Sequence, residues 1–192
     1  MDAATNPLLI NWDLPFGMPP YGQIRAHHFR PALEQAMREH LAEVAAIAND
    51  PSNPNFENTI AALDRSGDRL GRIEAVFHGL GGSYTSPELQ AALLDMAAPA
   101  SAHWSQVQQN AALFARLDAV HEQRHGLALS PEQLRLVERM HRDFVRAGAK
   151  LPPPERARYA ELLQQLAQLT TQFGQNVRSE EHTSELQSPL NI

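Results

Sequence analysis

Apolar residues recur every three or four positions along most of this chain, and no stretch alternates with period two for long. The first spacing stacks side chains on one face of an α-helix; a half-buried strand needs the second. The pattern therefore predicts an all-α fold without a sheet. Leu33, Met37, Leu41, Val44 and Ile47 form one such stripe, on a helix expected from about Ala26 to Ala48. Pro31 is expected in its first turn, where a missing N–H costs little. The turn cluster Asn49 to Asn55 separates it from a second helix, about Glu57 to Gly79, carrying Ile60, Leu63, Leu70, Ile73, Val76 and Phe77. Gly67 inside that run costs about 1 kcal/mol relative to Ala and marks a close crossing or a weak point.

A third helix is expected to open at Ser86 as N-cap and Pro87 as first residue, and to reach Asn110 with a kink near Pro99. A fourth covers about Ala111 to His125 and stops at Gly126. Ser130 and Gln133 form a capping box that opens a fifth, to Ala147, with Leu134, Val137, Met140, Phe144 and Val145 on its buried stripe. Pro152 to Pro154 breaks the chain before a sixth helix, about Glu155 to Val177. Six helices mostly longer than the usual mean of about 11–12 residues imply an elongated helical region. Ahead of them, Asn6 to Ile24 is rich in Pro and Gly and is expected to be extended, packed through Leu8, Leu9, Trp12, Leu14 and Phe16.

Composition narrows the function classes. A chain of 192 residues is one domain or a piece of a larger protein. Its net charge of −6 gives no electrostatic reason for nucleic acid or an anionic membrane as partner. The absence of cysteine excludes disulfides, Cys-ligated metal and a thiol nucleophile. No apolar run is long enough to span a bilayer, and the start lacks the basic and apolar pattern of a secretory signal, so a cytoplasmic location is expected.

One motif carries catalytic promise. His121-Glu122-Gln123-Arg124-His125 matches HExxH, in which two histidines four apart on one helix face hold Zn²⁺ and the Glu works on the bound water. Here it occupies a helix end just before Gly126. Its flanks Arg116, Asp118 and Arg124 read as solvated, and neither Glu132 nor Glu138 is aimed to be a third ligand. Histidines at a helix C-terminus also have a plainer role, complementing the negative end of the dipole. No catalytic, cofactor-binding or metal residue is therefore assigned in this chain. His27-His28 points to two faces and His103-Trp104 reads as a packed surface pair. His78 beside Gly79-Leu-Gly-Gly82 lacks the Lys and Ser/Thr of a phosphate loop, and Ser83, Ser86 and Ser130 read as turn or cap residues.

Positions 178–192, RSEEHTSELQSPLNI, break the preceding pattern. Arg178 to Ser188 reads letter for letter as the translation of a widely used DNA-sequencing adapter. The segment is expected to be disordered and foreign to the fold, and the natural reading frame to continue beyond Val177.

A resemblance covers about Asn6 to Val177. Asn6-Pro-Leu-Leu9, Leu14-Pro-Phe16, Gln23-Ile24 and His27-His-Phe-Arg-Pro-Ala32 open it. Asn55-Phe-Glu-Asn-Thr-Ile60, Leu113-Phe-Ala-Arg116, Arg142-Asp-Phe-Val-Arg-Ala-Gly-Ala149 and Leu169-Thr-Thr-Gln-Phe173 continue it. In this order the chain resembles the opening of the thimet-oligopeptidase-type zinc metallopeptidases. The His-His pair and Ala147-Gly-Ala-Lys-Leu151 look most like the bacterial peptidyl-dipeptidase branch, with oligopeptidase A next.

The resemblance implies an almost wholly helical protein with a deep channel that admits short peptides and excludes folded ones. Its zinc HExxH and further Glu ligand would lie downstream, outside this chain. Positions 1–177 would be the N-terminal helical region that lines one side of the channel and gates substrate length. Partners implied are short peptides and the chain's own missing catalytic half. The fragment alone would be inactive, and helix stripes facing that half would leave apolar surface exposed. A non-catalytic helical interaction module is the alternative.

Overall fold

The computed structural model describes residues 6–84 and 86–186, the side chains of 178–186 excepted. Among the described residues it is all-α. The elements in chain order are a 3₁₀ turn at Pro15–Gly17, α1 (Ala26–Ala48), a π-helical turn (Phe56–Ala61), α2 (Ala62–Arg65), α3 (Asp68–Ser83), α4 (Pro87–Gln108), α5 (Ala111–Gln123), α6 (Pro131–Arg146) and α7 (Pro153–Leu186).

Local chemistry sets the starts. The Ser86, Asn110 and Ser130 side chains accept the backbone N–H groups of Leu89, Leu113 and Gln133 at the openings of α4, α5 and α6. Gln133 returns the bond to the Ser130 N–H and closes the capping box. Asn55 and Asn58 cap the π-helical turn in the same reciprocal way. At α1 the His28 Nδ1 accepts the Arg25 N–H, while His27 is exposed and meets His28 edge to face.

Several expected boundaries move. Pro31 falls in the second turn of α1, not the first, and α4 runs through Pro99 as one helix. The expected second helix is broken: Gly67 takes a left-handed φ of 72° and separates α2 from α3. A Cβ there would stand 3.0 Å from the His40 ring, so both the turn and the close approach require glycine. α3 then outlasts Gly79 and ends at Ser83, whose hydroxyl donates to the Gly79 carbonyl. Gly81 in that last stretch leaves room for Leu93, since a Cβ would meet its Cδ1 at 2.6 Å.

α7 runs on past the expected end at Val177 to Leu186. Neither Gly nor Pro occurs in 178–186, and each added residue of an existing helix gains a hydrogen bond without a new nucleation cost. Positions 187–192 of the expected disordered tail lie outside the described residues.

The core comes in two clusters. Leu8, Phe29, Leu33, Leu70, Ile73, Phe77 and Met96 build one, and Val44, Ile60, Leu113, Leu117, Val120, Val137 and Phe144 the other. The leading segment contributes Leu8 to the first, with Leu9 and Trp12 packed beside it. Leu14 and Phe16, expected to pack, are exposed. α1 contributes to both clusters, its N-terminal half to the first and Val44 to the second. α4 does likewise, through Met96 and then Val107.

α7 is different in kind. It packs mainly on α4, yet none of its described side chains is buried. Ala160, Gln164, Ala167, Thr171, Gly174 and Gln175 face inward and are half-buried. Leu162, Leu166, Leu169, Phe173 and Val177 point outward, Phe173 at 69% exposure. Polar anchors hold the helix at both ends. The Arg156 guanidinium donates to the carbonyls of Gln109 and Leu151, and Gln175 donates to the Gln90 carbonyl at 2.8 Å.

Candidate functional site

The HEQRH stretch straddles the end of a helix. α5 ends at Gln123, so His125 lies in the following turn and is exposed. The two imidazoles therefore do not share a helical face. The His121 ring stacks on His141 of α6 at 3.7 Å and 5°. His141 meets the Asp118 carboxylate at 2.8 Å, and Lys150 stands 3.7 Å from the same oxygen. Burial, then the neighbouring His141 and Arg124, lower the His121 pKa. Burial raises the Asp118 pKa, but hydrogen bonds and charges from His141 and Lys150 outweigh it and the net shift is downward. Among the described residues no group of three or more His, Asp or Glu side chains is placed to hold a metal.

Of the flanks expected to be solvated, Asp118 and Arg124 are partly exposed and Arg116 is not exposed. Arg116 is buried at 7% exposure; its guanidinium donates to the carbonyls of Asp50 and Ser52 and pairs with the Asp50 carboxylate at 3.5 Å. The arginine fastens the Asn49–Asn55 turn onto α5, a structural task. Hydrogen bonds from Ser52, opposed in part by burial and aided by Arg116, keep Asp50 acidic.

A second histidine cluster lies where α1 crosses α4. His40 and His103 are buried at 3% and 4% exposure, with His40 Nδ1 2.9 Å from His103 Nε2. The surface-pair reading of His103-Trp104 is thus half right: Trp104 reaches solvent while His103 does not. His40 belongs to no motif. Its signal is positional, four residues from Ala36 and four from Val44 on the buried face of α1.

The protonation pattern follows from the partners. The Ser66 hydroxyl donates to the Leu63 carbonyl at 2.8 Å. Ser66 Oγ must then accept from His40 Nε2, 3.3 Å away. With its proton on Nε2, His40 accepts at Nδ1 from the His103 Nε2–H. The relay ends at His103 Nδ1, which has no hydrogen-bond partner among the described residues. The arrangement superficially resembles a base beside a hydroxyl nucleophile. Here the Ser66 hydroxyl donates to a backbone carbonyl and both rings are buried. Burial holds both rings neutral: it lowers His40, against the pull of Glu43, and takes His103 down to about 4 with help from His40. The Trp104 indole meets both rings edge to face and donates from Nε1 to Glu74 at 3.4 Å.

Fold and side chains together define an all-α helical region whose described residues assemble no metal site. No protein-family model matches the chain. Curated relatives do. Dipeptidyl carboxypeptidase of Escherichia coli (strain K12) is 41% identical over 172 residues, 90% of this chain and 25% of that protein. The Salmonella typhimurium protein of the same name is 41% identical over 174 residues, 91% of this chain and 26% of its own length. Oligopeptidase A of Salmonella typhimurium is 30% identical over 173 residues, covering 90% of this chain and 25% of that protein. The chain is a partial-length relative of the dipeptidyl carboxypeptidases and oligopeptidases A. It spans about a quarter of the length of the curated relatives it matches.

Proposed function

We propose that this chain is the N-terminal, substrate-gating region of a zinc metallopeptidase that hydrolyses short peptides and releases C-terminal dipeptides. The observation that carries the proposal is the 41% identity to a dipeptidyl carboxypeptidase along 90% of this chain, against 25% of the relative. Identity is lower, 30%, with oligopeptidase A, which favours the dipeptidyl mode over internal cleavage. The zinc ligands belong to the remainder of the protein, and no residue of this chain enters the chemistry of peptide-bond cleavage. Its contribution is a helical wall that narrows access.

The cytoplasm is the location this reading favours; among the described residues no helix is long and apolar enough to cross a membrane. Short peptides are the substrates, and the protein's own catalytic part is the partner. The test compares two proteins on a short peptide with a free C-terminus. The full-length gene product should release the C-terminal dipeptide in a zinc-dependent manner, and residues 1–177 alone should release nothing. Zinc-dependent hydrolysis by 1–177, or none by the full-length product, overturns the proposal.

A further inference from the structure

A cleft of about 240 Å³ opens between α7 and the helices it covers. Leu33 and Met37 of α1, Phe77 of α3, and Leu93 and Met96 of α4 wall it, and Gly174 of α7 lies across it. Apolar spaces of about 150 Å³ stay dry and accept a benzene-sized molecule, so this one is large enough for a ring with a short tail. Gly174 is where the chain could have filled the space and does not: a Cβ there meets nothing within 4 Å. The cleft also contains one carboxylate, Glu74, with His78 nearby and no Lys or Arg among its lining residues. The Trp104 indole N–H fixes Glu74 Oε1 from the side. Burial raises the Glu74 pKa, the mark of a carboxylate short of countercharge. Thr170, Thr171 and Gln175 of α7 add neutral polar groups to the lining; a mostly apolar cavity with a few polar groups is the usual make-up of a small-molecule site.

We propose that this cleft binds an apolar organic ammonium, its ring or branched chain seated among Leu33, Phe77 and Met96 and its –NH₃⁺ on Glu74. Two sources share that chemistry, a free aralkyl amine and the amino end of a short peptide that begins with a large apolar residue. The site is independent of the peptidase reading and would stand if that assignment failed.

Calorimetric titration of the 192-residue chain with 2-phenylethylamine tests it, with ethylbenzene as the uncharged counterpart. The amine should bind at least tenfold more tightly than the hydrocarbon. Gly174→Leu, which adds a side chain at a lining position where a Cβ meets open space and from a helix that tolerates Leu well, should weaken amine binding at least tenfold while the circular dichroism melt is retained. Glu74→Gln should bring the amine down to within threefold of ethylbenzene. Binding of phenylalanyl-diglycine, but not of its N-acetyl form, assigns the ammonium to a peptide end; binding of the amine alone assigns it to a free amine. No binding of any ammonium probe, equal binding of ethylbenzene, or amine binding unchanged in folded Gly174→Leu overturns the proposal.

Discussion

His40 and His103 form one hydrogen bond inside the core, 2.9 Å from Nδ1 to Nε2, at the crossing of α1 and α4. Each sits on its helix between residues of the two apolar clusters: Ala36 and Val44 flank His40, Met96 and Val107 flank His103. A polar seam thus joins the cores, and it holds only while both rings are neutral. A proton on His40 Nδ1 would face the His103 N–H directly.

The consequence is acid sensitivity. An unfolded histidine titrates near 6.5, whereas both folded rings bind a proton more weakly, His103 only at about 4. Below pH 6.5 the unfolded chain therefore takes up more protons than the folded one, and stability falls with pH until about pH 4. His121 and His28 are lowered in the same sense and add to the slope. Urea midpoints should decline steadily from pH 7 to 4.5, and His103→Phe should flatten that decline whatever it does to the midpoint at pH 7. An unchanged slope in the variant contradicts the seam.

Gly67→Ala should destabilise the chain by about 1–3 kcal/mol, from the left-handed backbone and from a methyl pressed on the His40 ring at 3.0 Å. Equilibrium urea unfolding measures it. A stabilised variant, the ordinary outcome of Gly→Ala in a helix, would show that the break between α2 and α3 is wrongly placed.

Leu117 is fully buried in the second cluster. Leu117→Ala should cost about 2–5 kcal/mol through lost transfer energy and the cavity left behind. Leu162→Ala on α7, 46% exposed, should cost far less. The same unfolding experiment on both variants ranks them, and a larger loss at Leu162 would contradict the outward orientation of that face.

The outward stripe of α7 should make the isolated chain self-associate. Residues 162–177 carry no charge, so nothing electrostatic opposes contact between copies. Sedimentation velocity should show concentration-dependent association, reduced severalfold in the double variant Leu166→Glu, Phe173→Glu. A monomer at all concentrations contradicts this.

The helices were legible because Leu33, Met37, Leu41, Val44 and their counterparts repeat at the helical period, and because Ser86 and Ser130 carry caps whose partners are local; Asn110, read as the end of the third helix, is instead the cap of α5. The features that escaped the sequence depend on distant partners. Gly67 was readable as a close approach, but the left-handed break it makes and the His40 ring it makes room for were not. His103 looks like a surface residue beside Trp104 until α4 is turned so that Met96, His103 and Val107 share a face. Arg116 reads as solvated until the Asn49–Asn55 turn folds back over it. The HExxH spacing is real in the sequence, but α5 ends at Gln123 and leaves His125 in the turn beyond it. The sequence reading placed the sixth helix without choosing its inward face; that the small, polar face packs inward rests on Arg156 and Gln175, which bond to other elements.

A helical wall of this kind has a peptidase role only if a zinc-bearing part is encoded downstream of Val177. Reading the genomic locus through that codon tests this most directly. The adapter-like residues from Arg178 onward should be replaced by a continuing open frame. That frame should encode a second HExxH on an apolar helix, with a further Glu downstream. A natural stop codon at about position 192, or a continuation without that motif, contradicts the peptidase role.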